Sequence, residues 1–290
     1  MAKEPSVAEK LYNPPASILL YGGPGSGKTA LGVSSFWDWI NKKEVANGKF
    51  ISFGVEDNPA LGVPEHFRQT EKGTSLRLTS PLLDSTEFLT QFDLISRKLV
   101  HDAQQGNCLD VLFVDGLAEF DLLFEETFGG EGDNFAKWNG LLSQLFSMMQ
   151  RLHHNVLGCQ VIMTTRVMPK KKTRTIGRNT VAGDPDYMDS EYYPALRGGF
   201  REHMPHYFNL VTYVETVQAK TKDGRIVPAH AAHMFKAGDY YVKNTWEHLW
   251  LAAGKGPMVI NKQWPALWAE LTDAISREEA PVEEEFADDQ

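Results

Sequence analysis

The run Ser17-Ile18-Leu19-Leu20-Tyr21-Gly22-Gly23-Pro24-Gly25-Ser26-Gly27-Lys28-Thr29 is the most informative stretch of the chain. Its apolar start, ending at glycines, suits a strand buried on both faces. Gly22, Gly23, Gly25 and Gly27 let the backbone curl and aim its N–H groups inward without side chains in the way. Lys28 adds a mobile cation. From Thr29 onward, Leu31, Val33, Phe36, Trp37 and Ile40 recur at spacings that predict an amphipathic helix packed on a sheet. Strand, glycine loop and helix in that order are what a phosphate needs. The helix N-terminus contributes its dipole, and the Thr29 hydroxyl can complete a Mg²⁺ shell. Chance would produce the Gly-x4-Gly-Lys-[Ser/Thr] pattern in a chain of this length with a probability on the order of 1%. Gly23, Pro24, Gly25, Ser26, Gly27, Lys28, Thr29 and Ala30 are the residues expected to contact the nucleotide phosphates.

Working outward, Phe50-Ile51-Ser52-Phe53-Gly54-Val55 reads as a second strand, stopped by Glu56-Asp57-Asn58-Pro59. Ser85 is placed to cap a helix whose Phe88, Phe92, Ile95 and Leu99 share one face. Val111-Leu112-Phe113-Val114-Asp115 is a third strand. Phe135, Trp138, Leu142, Leu145, Met149 and Leu152 mark a long amphipathic helix, and Cys159 to Thr164 a fourth strand. Alternating helix and strand implies an α/β fold with a mainly parallel sheet. Beyond residue 206 strands alone are expected: Phe208 to Val217, a turn at Asp223-Gly224, His233 to Lys236, a turn at Gly238-Asp239, and Tyr240 to Lys243. They form a C-terminal antiparallel hairpin extension of the sheet. Trp264, Leu267, Trp268, Leu271 and Ile275 make a last helix.

These elements divide the chain into an N-terminal segment over 1–16, one domain over 17–276 and an acidic tail over 277–290, expected to be disordered. A hydrophobic content of 42% and a charged content of 23% are ordinary for a globular protein. No long apolar run or signal-peptide pattern is present, so a cytosolic location is expected, with no membrane partner. Cys108 and Cys159, on or beside strands, read as buried thiols with no structural disulfide. The histidines, His230 and His233 among them, lack companions at metal-ligand spacing, so a zinc site is not expected. The net charge of −9 conceals a segregation. Arg166, Lys170, Lys171, Lys172, Arg174 and Arg178 fall in one acid-free segment, whereas Glu278 to Asp289 carries acids and no base.

Asp115 ends its strand at the carboxyl edge of the sheet, where α/β proteins hold ligands, and with Thr29 it is the expected Mg²⁺ site. Glu56 also ends a strand and is placed to take a proton from an attacking water. Asp57 and Glu119 are rivals for that role.

This order of parts resembles the RecA-like P-loop ATPases, and more closely the compact phage-encoded RecA-like proteins of single-strand annealing and recombination; the likeness spans about residues 15 to 250. The resemblance implies a RecA-like ATPase core, with ATP and Mg²⁺ as cofactors, and raises Glu56 above Glu119 as the catalytic carboxylate. It implies that Thr164, ending the fourth strand, senses the γ-phosphate, although Thr164-Thr165 stands where the family has glutamine. Val242-Lys243-Asn244-Thr245 matches a Val-Lys-Asn-Lys segment whose lysines reach ATP on a neighbouring subunit; Lys243 matches and the second lysine does not. The family places single-stranded DNA on the loop that corresponds to Arg166–Arg178, which can neutralise phosphates and release counterions. Gly129 to Asp133 lies where a second DNA loop would be, but it is acidic. A homo-oligomer is implied, without a separate polymerisation domain. The acidic tail resembles tips that dock protein partners.

The leading expectation is an ATP-hydrolysing, single-stranded-DNA-binding recombination protein with Lys28, Glu56, Asp115 and Lys243 in catalysis. A helicase or AAA+-type motor or loader would instead need an arginine finger, for which Arg197 and Arg201 are available. A nucleotide-gated binding module with little turnover would retain function in Glu56→Gln.

Overall fold

A computed structural model of the chain describes residues 15–38, 41, 43–52, 76–77, 85–118, 143, 146–169, 192–196, 203–220, 223–236, 238–260 and 263–276. Its strands are β1 (Ser17–Gly22), β2 (Trp37–Asp38), β3 (Lys43–Glu44), β4 (Gly48–Ser52), β5 (Leu76–Arg77), β6 (Val111–Asp115), β7 (Gln160–Pro169), β8 (Tyr192–Pro194), β9 (Leu210–Lys220), β10 (Ile226–His233), β11 (Lys243–Asn244) and β12 (Met258–Ile260). Helices are α1 (Lys28–Val33), α2 (Ser85–Gln104), α3 (His154–Leu157), α4 (Glu247–Ala252) and α5 (Trp264–Ser276). The fold is α/β around a mixed, mostly parallel sheet. Its order is β12-β10-β9-β1-β7-β6-β4-β5, with β11 beside β9 and β8 beside β7; β2 and β3 form a separate hairpin.

β1, β4, β5, β6, β7 and β9 run parallel, so their carboxyl ends gather along one edge. β10 and β12 add an antiparallel extension beside β9, of which the C-terminal sequence predicts the antiparallel character but not β12. All six residues of β1 are buried, as a strand covered on both faces requires. Alternate residues feed two cores. Leu19, Tyr21, Leu112, Val114, Val161 and Met163 pack with Phe92 and Leu99 of α2 and Leu157 of α3 on one face. Ile18, Leu20, Phe113, Ile162 and Val214 meet Val33 of α1, Trp250 of α4 and Trp264, Trp268 and Leu271 of α5 on the other.

Several boundaries differ from expectation for physical reasons. α1 ends at Val33 rather than continuing past Phe36. The Ser34 and Ser35 hydroxyls donate to the carbonyls of Leu31 and Gly32, both at 2.6 Å, and this competes with helix propagation. Trp37 therefore enters a hairpin, pairing with Glu44. β10 begins at Ile226 and ends at His233, where the sequence predicts a strand from His233 to Lys236, and of the predicted strand Tyr240 to Lys243 only Lys243 falls in a strand, β11. β8 and β12 were not anticipated; three residues are too short to carry an alternation signal. Cys159 is buried but Cys108 is exposed, against the expectation that both thiols are covered. Of the expected long helix before β7, residues 143 and 146–151 are described and helical. Among the described residues no helix is long and apolar enough to cross a membrane.

Candidate functional site

The loop 23–27 joins β1 to α1 at the carboxyl edge of the sheet. Gly25 and Gly27 have φ of +71° and +91°, a region that side chains other than glycine rarely adopt. Gly22 has no space for a Cβ, which would overlap the carbonyl oxygen of Val214 on β9. A Cβ on Gly27 would come within 2.6 Å of His230 Nδ1 on β10. β9 and β10 thus extend past the end of β1 and pack against the loop, where Thr216 Oγ1 also donates to the Gly25 carbonyl at 3.4 Å.

Lys28 curls back over this loop. Its ammonium donates to the carbonyls of Gly22 at 3.0 Å and Gly23 at 2.8 Å, and to Ser26 Oγ at 3.3 Å. A cation on a flexible stem, held at the inner rim by neutral carbonyls, can exchange them for a charged phosphate oxygen at a gain, because charge-assisted contacts are stronger.

Beside the loop, Thr29 Oγ1 donates to Asp115 Oδ2 at 2.8 Å. Thr164 Oγ1 donates to the other oxygen, Oδ1, and accepts from the Gly116 N–H at 3.0 Å. The register explains the meeting: β7 lies between β1 and β6, so Thr164 stands between the strand that leads into the loop and the strand that carries Asp115. Asp115 is buried, with 8% of its surface exposed, and both oxygens are oriented by hydroxyls. The structure therefore brings Thr164 to Asp115 as a positioning group, a contact that spacing along the chain could not reveal.

A hydroxyl and a carboxylate are hard oxygen donors, suited to Mg²⁺ that keeps several waters and borrows further ligands from phosphates. Among the described residues no group of three or more His, Cys, Asp or Glu is placed to hold a metal ion by itself. The donor set at Thr29 and Asp115 fits a cation that arrives with a nucleotide rather than a protein-only metal cage.

Other expected site residues fall elsewhere. Ser52 at the end of β4 is in register with Asp115; Glu56, Asp57 and Glu119 lie outside the described residues. So do Lys170, Lys171, Lys172, Arg174, Arg178, Gly129 to Asp133, Arg197, Arg201 and the tail over 277–290. Arg166 is exposed on β7, in register with Gly22. Ala30 lies in the first turn of α1. Lys243 pairs with Val211 on the half of β9 farther from the loop, and its ammonium donates to the Pro205 carbonyl at 3.1 Å. Within one chain it is not part of the phosphate site.

No protein-family model matches the chain, and no characterised protein matches it significantly in sequence.

Proposed function

We propose that this chain is a RecA-like P-loop ATPase that binds single-stranded DNA and acts in recombination or annealing of the phage type. The observation that carries the nucleotide part is the Thr29–Asp115 contact beside a glycine loop on which Lys28 is folded. In this reading the N–H groups of residues 23–30 and the Lys28 ammonium bind the triphosphate, and Thr29 and Asp115 hold Mg²⁺. Mg²⁺, when bound with ATP, would neutralise charge on the β- and γ-oxygens. Thr164 keeps the Asp115 carboxylate oriented toward Thr29. Glu56, four residues beyond the end of β4, is the residue assigned to orient water. The strand pattern supports the RecA-like reading: the loop strand is central, and one strand separates it from the strand ending in Asp115. The DNA part rests on the basic, acid-free segment from Arg166 to Arg178, which begins on β7.

The deciding experiment measures ATP hydrolysis with and without single-stranded DNA. Stimulation by DNA, abolished in Lys28→Ala, is the expected result. Turnover in Lys28→Ala equal to that of the unaltered chain overturns the nucleotide assignment; hydrolysis indifferent to DNA removes the DNA part.

A further inference from the structure

β9 and β10 run on past the phosphate loop as a two-stranded ribbon. β1 and β9 are paired as far as Tyr21 and Tyr213, and β9 then continues from Val214 to Lys220 with β10 as its partner. On this ribbon Thr216 of β9 stands directly opposite His230 of β10. Cross-strand partners point to the same face, here the face of Val214 and Ala232, which pack in one core with Val33 of α1.

Both side chains meet the loop. The Thr216 hydroxyl donates to the Gly25 carbonyl at 3.4 Å. A Cβ on Gly27 would lie 2.6, 2.7 and 2.9 Å from Nδ1, Cγ and Cε1 of His230. Distances so alike from three ring atoms put the imidazole face-on to Gly27.

The effect of this backing follows from covalent geometry. At a φ of +91° a Cβ stands almost opposite the N–H of its own residue across the N–Cα bond. His230 therefore supports Gly27 from the side away from which the Gly27 N–H points. In a trans peptide the carbonyl and the following N–H also point opposite ways. Holding the Gly25 carbonyl toward the ribbon turns the Ser26 N–H away from it, and that N–H meets the Gly23 carbonyl at 3.3 Å within the loop. The loop needs such support. Gly25 and Gly27 have much conformational freedom to lose, and α1, from Lys28 to Val33, anchors them with fewer than two helical turns.

We propose that Thr216 and His230 are positioning residues for the triphosphate, holding the loop with its N–H groups turned toward the β-phosphate. The inference rests on the nucleotide reading above and extends the site to two residues outside the glycine motif. They act on the nucleotide through the loop. Donors held in place beforehand bind without the cost of ordering the loop on arrival. Both side chains are exposed, so neither is needed to fill a core.

The test titrates the full chain with ADP and with ATP in the presence of Mg²⁺ by calorimetry, alongside urea unfolding without nucleotide. His230→Ala and Thr216→Val each weaken ADP and ATP equally, by about 3- to 10-fold, the worth of one ordinary hydrogen bond. Both nucleotides carry the β-phosphate that the loop amides cradle, so the two losses match. Thr216→Ser and His230→Phe, which keep the hydroxyl and a flat ring, restore binding, and no variant lowers the urea midpoint. A loss confined to ATP makes the residue a direct γ-phosphate contact and overturns the proposal. Unchanged affinity in either of the first two variants overturns it as well. So does a failure of the conservative variants to restore binding, or a lowered urea midpoint that accompanies the loss. An unaltered chain that binds neither nucleotide overturns the nucleotide reading itself.

Discussion

A methyl group at Gly22 would overlap the Val214 carbonyl oxygen, and neither backbone can yield without moving β1 from β9. Gly22→Ala is therefore expected to destabilise the fold by about 1–3 kcal/mol, the usual cost of overpacking a tight interior, read as a lower urea midpoint. Unchanged stability would show that β1 and β9 separate there at little cost. Asp115→Asn keeps the shape of the site but removes the charge facing Thr29. Mg²⁺-dependent hydrolysis should fall by about 100-fold or more, measured at saturating nucleotide. The meeting of Thr29 and Asp115 at one sheet edge was legible in the sequence because a short motif and a strand-ending carboxylate carry their own spacing, whereas the crowding of Gly22 by Val214 was not. Thr164 was read there as a phosphate sensor. Its grip on Asp115 depends on β7 being inserted between two other strands, which no local pattern records.

Among the elements, α3 carries a pH-sensitive contact. His154 Nδ1 accepts from the Ser17 hydroxyl of β1 at 3.0 Å, while its own backbone N–H donates to the same oxygen at 3.3 Å. Burial first, then the adjacent His153, pushes the imidazole down to about 4. The unfolded chain binds this proton near pH 6.5, so it binds more protons than the fold between about pH 6.5 and 4. Stability from this source is full above that window and is lost as pH falls through it. Urea titrations at pH 7.5 and 5 should show a smaller difference for His154→Gln than for the unaltered chain; an equal difference assigns the effect to other groups. The parallel strands were readable as apolar runs because helices cover both faces. The end of α1 was not, since Phe36 and Trp37 continue the helical spacing while Ser34 and Ser35 draw on the carbonyls that would extend it.

For the molecule as a whole, the two thiols report on integrity. Burial pushes Cys159 up to about 12, while Cys108 is exposed. A thiol-specific reagent at pH 8 should label one cysteine per native chain, Cys108, and two after denaturation. Fast labelling of Cys159 in the native chain would indicate that the region where β7 begins opens readily. The alternation of strands and helices foretold the shared carboxyl edge, whereas the contacts of Thr216 and His230 with Gly25 and Gly27 join distant parts of the chain and emerge only in three dimensions.

Because β1, β4 and β6 run parallel and finish near one rim, their ends at Gly22, Ser52 and Asp115 are anchor points fixed by paired neighbours. Selectivity can then be rewritten by exchanging whole segments between fixed anchor points while the ladder beneath keeps its register. Substitutions at the opposite rim, where Pro205 and Lys243 meet, change durability and leave ligand choice alone.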